Sequence, residues 1–159
     1  MAFDAAPSAS WRLAVVAEAM TWLRTPYHHN ARVKGAGVDC GQFIIAAFVG
    51  AGLVPDFDTG DYSADWMMHR SEERYLSFVE RHLNRCEQPL PGDVAVWRFG
   101  HCFSHGAVVV DWPRVLHAFL HENAVCLGDA DKGMLSREHL EAGGSVPRPV
   151  RFYTLAGRG

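Results

Sequence analysis

Long apolar runs and excess charge are both missing from this chain. No stretch approaches the roughly 18 apolar residues of a membrane span, and the first seven residues lack the basic and apolar regions of a signal peptide. The formal net charge of -3 predicts no general affinity for nucleic acid or an anionic membrane. We therefore expect a protein made in the cytoplasm with reduced thiols and without membrane insertion. If it acts outside the cell, something other than a signal peptide must deliver it.

Cysteine is scarce, and no two cysteines form a C-x-x-C pair, which argues against a zinc ribbon or a thioredoxin-like site. A chain of 159 residues, 48% hydrophobic and 21% charged, can bury a core without disulfides. We predict one domain over residues 10–159, preceded by a loose leader over 1–9, and no cofactor or metal. The cysteines are Cys40, Cys86, Cys102 and Cys126.

Local patterns predict helices in the first half of the chain and strands in the second. Apolar residues recur at helical spacing over 10–24, and a second apolar run over 40–51 ends at glycines. This order indicates an α+β fold in which the helices pack on one face of an antiparallel sheet. Further helices are predicted over 63–69, 71–85 and 136–142, and strands over 94–99, 106–111, 115–119, 124–127 and 150–155.

Cys40 is the first candidate for chemistry. It follows Gly37-Val38-Asp39 and directly precedes an apolar run, so we expect its thiol at a helix N-terminus. Unpaired N–H groups and the helix dipole lower the pKa of a thiol placed there, and the thiolate is the nucleophile. The competing interpretation, an inert buried cysteine, fits Cys86 and Cys126 better. Gly41 has no side chain, which lets a substrate backbone approach closely.

Two distant histidines could serve such a thiol. His105 begins the predicted strand over 106–111, and His117 lies in the strand after it. The residues 111–114 between them suit a hairpin turn, so the two rings could touch across neighbouring strands. One ring would then be the base and the other would orient it. For both, a buried structural histidine is an equally reasonable interpretation. Tyr27, which precedes the Cys40 loop, could line the same site or belong to the core.

Five short motifs follow one another in a fixed order: Thr25-Pro26-Tyr27, Gly37-Val38-Asp39-Cys40, Leu90-Pro91-Gly92-Asp93-Val94-Ala95-Val96, Ser104-His105-Gly106-Ala107-Val108-Val109 and Leu116-His117-Ala118. The series resembles the NlpC-type cell-wall peptidases, which are papain-like cysteine peptidases that cut peptidoglycan stem peptides. The resemblance covers about residues 10–120. The lack of a signal peptide and of a separate wall-binding domain looks most like the bacteriophage branch, in which the peptidase rides on a tail or on a tail-like gene transfer particle.

The resemblance implies a role for each candidate residue. Cys40 would be the nucleophile, His105 the general base and His117 the third polar residue of the site. Tyr27 would match the active-site tyrosine of the family, and Asp39 would shape the nucleophile turn. The substrate would be a peptidoglycan stem peptide, cut between D-γ-glutamate and a diamino acid, and the partners would be tail-hub or tail-tip proteins. The enzyme would be incorporated in a phage-like tail and act in the periplasm or cell wall.

The chain departs from the family pattern in two places. Many members have Ser after the catalytic cysteine, where this chain has Gly41, and residues 28–34 replace the usual glycine-rich run. The loop over 28–34 could change the substrate cleft. Its two cations, Arg32 and Lys34, could meet a substrate carboxylate, although solvated loop charges are the simpler interpretation.

Three alternatives remain. A zinc site built from His101, Cys102, His105, His117 and His121 lacks the usual ligand spacing. A tail component could keep the fold for assembly without catalysis. An amidase or acyltransferase could use the same cysteine and histidine on another acyl group.

Overall fold

The helices come first, as the sequence predicts. The computed structural model describes residues 7–59, 74–141 and 144–155, and the predicted helix over 63–69 lies outside them. A small hairpin stands between the first two helices and directly precedes Cys40. These elements are α1 (Pro7–Met20), β1 (Arg32–Val33), β2 (Gly37–Val38), α2 (Cys40–Gly50) and α3 (Arg74–His82).

Six strands then form one antiparallel sheet with the order β3-β10-β4-β5-β6-β7. A short helix and a separate hairpin, β8 and β9, precede the last strand. The α+β prediction is therefore confirmed. The strands of the sheet are β3 (Asn84–Cys86), β4 (Val94–Phe99), β5 (Cys102–Asp111), β6 (Arg114–Phe119), β7 (Ala124–Asp129) and β10 (Val150–Thr154); the others are α4 (Gly133–Ser136), β8 (Arg137–Glu141) and β9 (Gly144–Pro147).

The sheet is covered on both faces. On one face α2 packs against β5 and β6, and α1 packs against α2. The apolar run over 43–48 is buried there, so α2 is a core helix whose N-terminus meets the sheet. A smaller apolar cluster covers the other face around Trp97, Val109 and Leu135. Cys40 is thereby fixed between a rigid helix and the middle strands of the sheet.

Several boundaries differ from the predictions. α1 begins at Pro7, inside the predicted leader, because proline is well tolerated in the first turn of a helix. The predicted helix over 71–85 gives way to β3 at Asn84, which pairs with β10. The predicted helix over 136–142 is wrong, because residues 137–141 pair with β9. In each of the last two cases strand pairing overrides local helical preference.

The part of the chain that the structure describes contains no helix long and apolar enough to cross a membrane.

Candidate active site

The start of α2 is held by the carboxylate of Asp39. Its Oδ1 accepts from the backbone N–H of Gln42 at 2.9 Å, and its Oδ2 accepts from the backbone N–H of Asn30 at 2.7 Å. The side chain is 1% exposed. Asp39 therefore caps the helix and ties it to the preceding loop, which is the turn-shaping role expected from the sequence.

The thiol of Cys40 is enclosed. The residue is 2% exposed, and its Sγ lies 3.7 Å from the Ser104 carbonyl oxygen on β5. Burial, followed by the nearby Asp39 carboxylate, raises the pKa of Cys40 to about 12, although backbone hydrogen bonds oppose the rise. The predicted lowering of this pKa by the helix N-terminus is therefore wrong, because desolvation of the thiolate outweighs the dipole.

His105 and His117 are hydrogen-bonded to each other. The His105 Nε2 lies 2.9 Å from the His117 Nδ1, on the adjacent strands β5 and β6. The hairpin turn predicted between them is present, although β5 begins at Cys102, so His105 lies inside the strand and not at its start.

Both imidazoles favour the neutral form. Burial, then the charges of His117, Arg148 and His121, lower the pKa of His105 well below its usual value. Burial alone lowers the pKa of His117 to about 4. At neutral pH the site therefore holds a protonated thiol and two uncharged rings, one of which donates to the other.

Tyr27 stands beside Cys40. Its backbone bridges to Val38, and its N–H donates to the Asn123 carbonyl at 2.9 Å, so the loop before Cys40 is anchored on both sides. Burial raises the pKa of Tyr27, and the Cys40 thiol and the Asp39 carboxylate raise it further. A hydrogen bond with the Cys40 backbone acts in the opposite direction. The phenol oxygen is therefore in contact with the first residue of α2.

A cleft of about 250 Å³ joins these residues. Of the six predicted site residues, Cys40, His105 and Tyr27 line it. His117 stands behind His105, Asp39 lies in the turn and Gly41 is half-buried beyond the thiol. The remaining lining residues of the cleft are Phe99, Gly100, Ser104, Phe119, Leu120 and His121.

The apolar walls of the cleft were not found from the sequence as site residues. The Phe119 ring stacks on His117 with centroids 4.6 Å apart, and the Phe99 ring meets His105 edge-on at 5.6 Å. Phe119 lies two residues after His117 in the same strand, and this period of two was the available signal. His121 lies beyond the strand in a short 3-10 helix, where that signal does not apply. Nothing local identifies Phe99, because β4 approaches His105 only through sheet pairing.

The loop cations are already engaged by the protein. Arg32 Nη2 lies 2.7 Å from Asp56 Oδ1, and Lys34 Nζ lies 3.2 Å from Glu18 Oε1. Within residues 7–59, 74–141 and 144–155, no three His, Cys, Asp or Glu side chains are grouped to hold a metal ion.

Comparison with solved structures identifies the fold. No protein-family model and no curated protein sequence matches the chain. The NlpC/p60 domain of the peptidoglycan hydrolase SagA superposes with a TM-score of 0.51 at 21% identity, over 76% of this chain and 90% of that domain. NlpC1 from Trichomonas vaginalis gives 0.60 at 18% identity over 93% of this chain. The chain spans only 44% of NlpC1, and 51% of NlpC2 from the same organism.

Another neighbour shows that this fold does not guarantee catalysis. RipD from Mycobacterium tuberculosis, described as a non-catalytic NlpC/p60 protein adapted to peptidoglycan binding, gives a TM-score of 0.52 at 12% identity, over 91% of this chain and 97% of its own. The chain therefore has the NlpC/p60 papain-like fold, and its function has to be argued from its own residues.

Proposed function

We propose that this protein is a cysteine endopeptidase of peptidoglycan stem peptides. One observation carries the proposal: Cys40, at the start of α2, and His105 line the same cleft. His105 is in turn hydrogen-bonded to His117. Solved structures of peptidoglycan hydrolases with the same fold support this choice of substrate. We propose the bond between D-γ-glutamate and a diamino acid as the one cleaved.

The residues would divide the reaction among themselves. His105 takes the thiol proton as the Cys40 sulfur attacks the amide carbonyl carbon, and then protonates the leaving amine. The thioester that remains is hydrolysed by water, which restores the thiol. His117 holds the ring of His105, while Tyr27 and the Cys40 backbone N–H face the oxyanion. Gly41 leaves room for the substrate backbone. Because the thiol and imidazole start neutral, proton transfer accompanies the attack.

Digestion of purified peptidoglycan tests this proposal. Wild type and Cys40→Ala are incubated with sacculi, and the released fragments are identified by mass spectrometry. Cys86→Ala is the matched control, because Cys86 is half-buried in the edge strand β3. We expect release of peptides that begin with the diamino acid from wild type and the control only, because the D-glutamate side of the cut bond stays attached to the glycan. Release by Cys40→Ala would remove Cys40 from the mechanism.

The second candidate function is peptidoglycan binding without cleavage, which the likeness to RipD favours. It would appear as equal retention of wild type and Cys40→Ala on insoluble peptidoglycan, with no fragments from either. Cleavage of other amides or thioesters by wild type would instead indicate an amidase or acyltransferase with the same cysteine and histidine.

We also propose that a phage-like tail carries the enzyme to the cell wall, with tail-hub or tail-tip proteins as partners. The proposal follows from the resemblance to the tail-borne branch, which is an expectation from the sequence. Quantitative mass spectrometry of purified particles should find the chain at a fixed ratio to tail proteins. Its presence in the host lysate but not in particles would contradict this.

A further inference from the structure

The ring of His117 abuts the edge strand of the sheet at Gly128. A Cβ atom built on Gly128 would lie 2.7 Å from the His117 Nε2, 3.3 Å from its Cε1 and 3.4 Å from its Cδ2. Non-bonded carbon atoms attract one another best at about 3.5–4.0 Å. The outer end of the imidazole therefore occupies the place that any side chain at residue 128 would need.

The backbone at Gly128 does not itself require glycine. The residue lies inside β7, paired with Val115, and its φ is outside the left-handed region. In such a strand position alanine is favoured over glycine, because it loses less conformational entropy on folding. The steric need at residue 128 therefore comes from His117.

The His117 ring has no easy way to move aside. Its Nδ1 is hydrogen-bonded to His105 at 2.9 Å, one ring face stacks on Phe119, and the residue is 2% exposed. The ring thus spans the distance between His105 at one edge and Gly128 at the other. Pushing the ring at its Nε2 end would displace its Nδ1 from His105.

We propose that Gly128 is a positioning residue for the histidine pair, an inference that rests on the proposed cysteine chemistry. In its place between His105 and Gly128, the His117 ring accepts the His105 Nε2–H. The lone pair of the His105 Nδ1 is then left for the Cys40 proton. A displaced His117 no longer fixes that tautomer or the ring orientation. Gly128 acts through two other residues and touches neither the thiol nor the cleft.

A double-mutant cycle tests the proposal. Gly128→Ala should lower kcat/KM on a stem peptide at least about tenfold, mostly in kcat, with KM within about twofold. In a His117→Ala background the same substitution should cost less than about twofold, because the ring it displaces is gone. Leu127→Ala is the control, since Leu127 neighbours Gly128 in β7 and is 57% exposed. If Gly128→Ala lowers kcat/KM by the same factor with and without His117, the two residues act independently and the proposal is wrong.

Wild type, the two single variants at residues 117 and 128 and the double variant are also compared by thermal unfolding and by NMR of the imidazole nitrogens. Neither measurement needs a substrate. Gly128→Ala should lower Tm and abolish the signature of the hydrogen bond between the rings, and adding His117→Ala should recover the lost Tm. A double variant as unstable as Gly128→Ala, or an unchanged imidazole signature, would refute the positioning role. If wild type cuts no peptidoglycan, the proposed function fails while these two measurements still decide the role of Gly128.

Discussion

At the scale of single residues, the site combines a thiol with a raised pKa and histidines with lowered ones. Cys40 and His105 are 2% and 8% exposed, so water stabilises neither charged form. Separating charge between them in the empty cleft is unfavourable. In the reaction that we propose, the sulfur would bond to the carbonyl carbon as it loses its proton, so no free thiolate would have to form.

Alkylation of Cys40 should therefore be slow at neutral pH. With the pKa of the thiol at about 12, iodoacetamide should modify Cys40 at least tenfold more slowly at pH 7 than an ordinary thiol, whose pKa is near 8.5. Peptide mapping by mass spectrometry follows Cys40 separately from Cys86 and Cys126. Burial raises the pKa of both of those thiols as well, so free cysteine in the same reaction is the reference for an ordinary thiol. A rate that reaches its plateau below pH 7 would instead indicate a resting thiolate–imidazolium pair.

At the scale of elements, Tyr75 of α3 fills the space between α2 and the strand of His105. Its hydroxyl donates to the Cys40 carbonyl at 3.4 Å. A Cβ built on Gly106 would collide with that hydroxyl and with the Cδ1 of Ile44. Glycine at residue 106 thus lets β5 approach α2 closely enough for His105 to reach the cleft.

Gly106→Ala should destabilise the protein and move His105 away from the cleft. We expect a loss of roughly 1–3 kcal/mol in the free energy of unfolding, from overpacking against Tyr75 and Ile44. Urea denaturation measures the loss, and peptide cleavage by the folded variant measures displacement of His105. Adding Tyr75→Phe removes the hydroxyl and should recover part of the stability. If Gly106→Ala is as stable as wild type, α2 and β5 can move apart without cost, and close packing at Gly106 is not required.

A second connection between elements joins α1 to the sheet. Arg12 Nη1 lies 2.7 Å from the Asp93 carboxylate, and Asp93 is 1% exposed. The same guanidinium donates to the Pro91 carbonyl oxygen, just before β4, and to the Thr154 Oγ1, at the end of β10. Both distances are 3.2 Å. This group of contacts fixes the N-terminal helix over the sheet.

Arg12→Met should cost about 3 kcal/mol of unfolding free energy, because it leaves a buried carboxylate without its cation. Arg32→Met is the matched control: Arg32 also pairs with a carboxylate at 2.7 Å, but its partner Asp56 is 70% exposed. An exposed pair of this kind contributes less than about 1 kcal/mol. Equal losses in chemical denaturation would contradict the importance of burial at Asp93.

At the scale of the whole molecule, the two neutral histidines link the fold to pH. The folded pKa of His117 is about 4, whereas the unfolded value is 6.5. Between these pH values the unfolded chain binds the extra proton, so the stability rises with pH. The contribution is complete above pH 6.5 and is lost as pH falls towards 4. His105 shifts in the same direction.

Acid should therefore destabilise the protein by roughly 3 kcal/mol through His117 between pH 6.5 and 4. Urea denaturation across this range measures the slope, and His117→Asn should reduce it, leaving the part that is due to His105. His28→Ala, which changes an exposed histidine, is the control and should leave the slope as in wild type. An unchanged slope in His117→Asn would mean that other groups cause the acid sensitivity.

Local pattern was enough to predict the main elements and the candidate residues. The apolar run after Cys40 predicts α2, and alternation with a turn at 111–114 places His105 and His117 on neighbouring strands. Such signals work because helical and strand periods, caps and turns depend on residues close in sequence. They failed for 137–141 and for 84–86, where pairing with a distant or following strand decided the backbone.

The sequence by itself thus determined the order of helices and strands, the helix start at Cys40 and the hairpin of the two histidines. Only the tertiary structure decided the electrostatic state of the site and its close contacts. The burial that raises the pKa of Cys40 and the apolar wall at Phe99 arise from segments far apart in the chain. The contact between Gly128 and His117 depends on the register in which β6 and β7 pair. Burial and steric fit are properties of the packed chain, and no local pattern of residues encodes them.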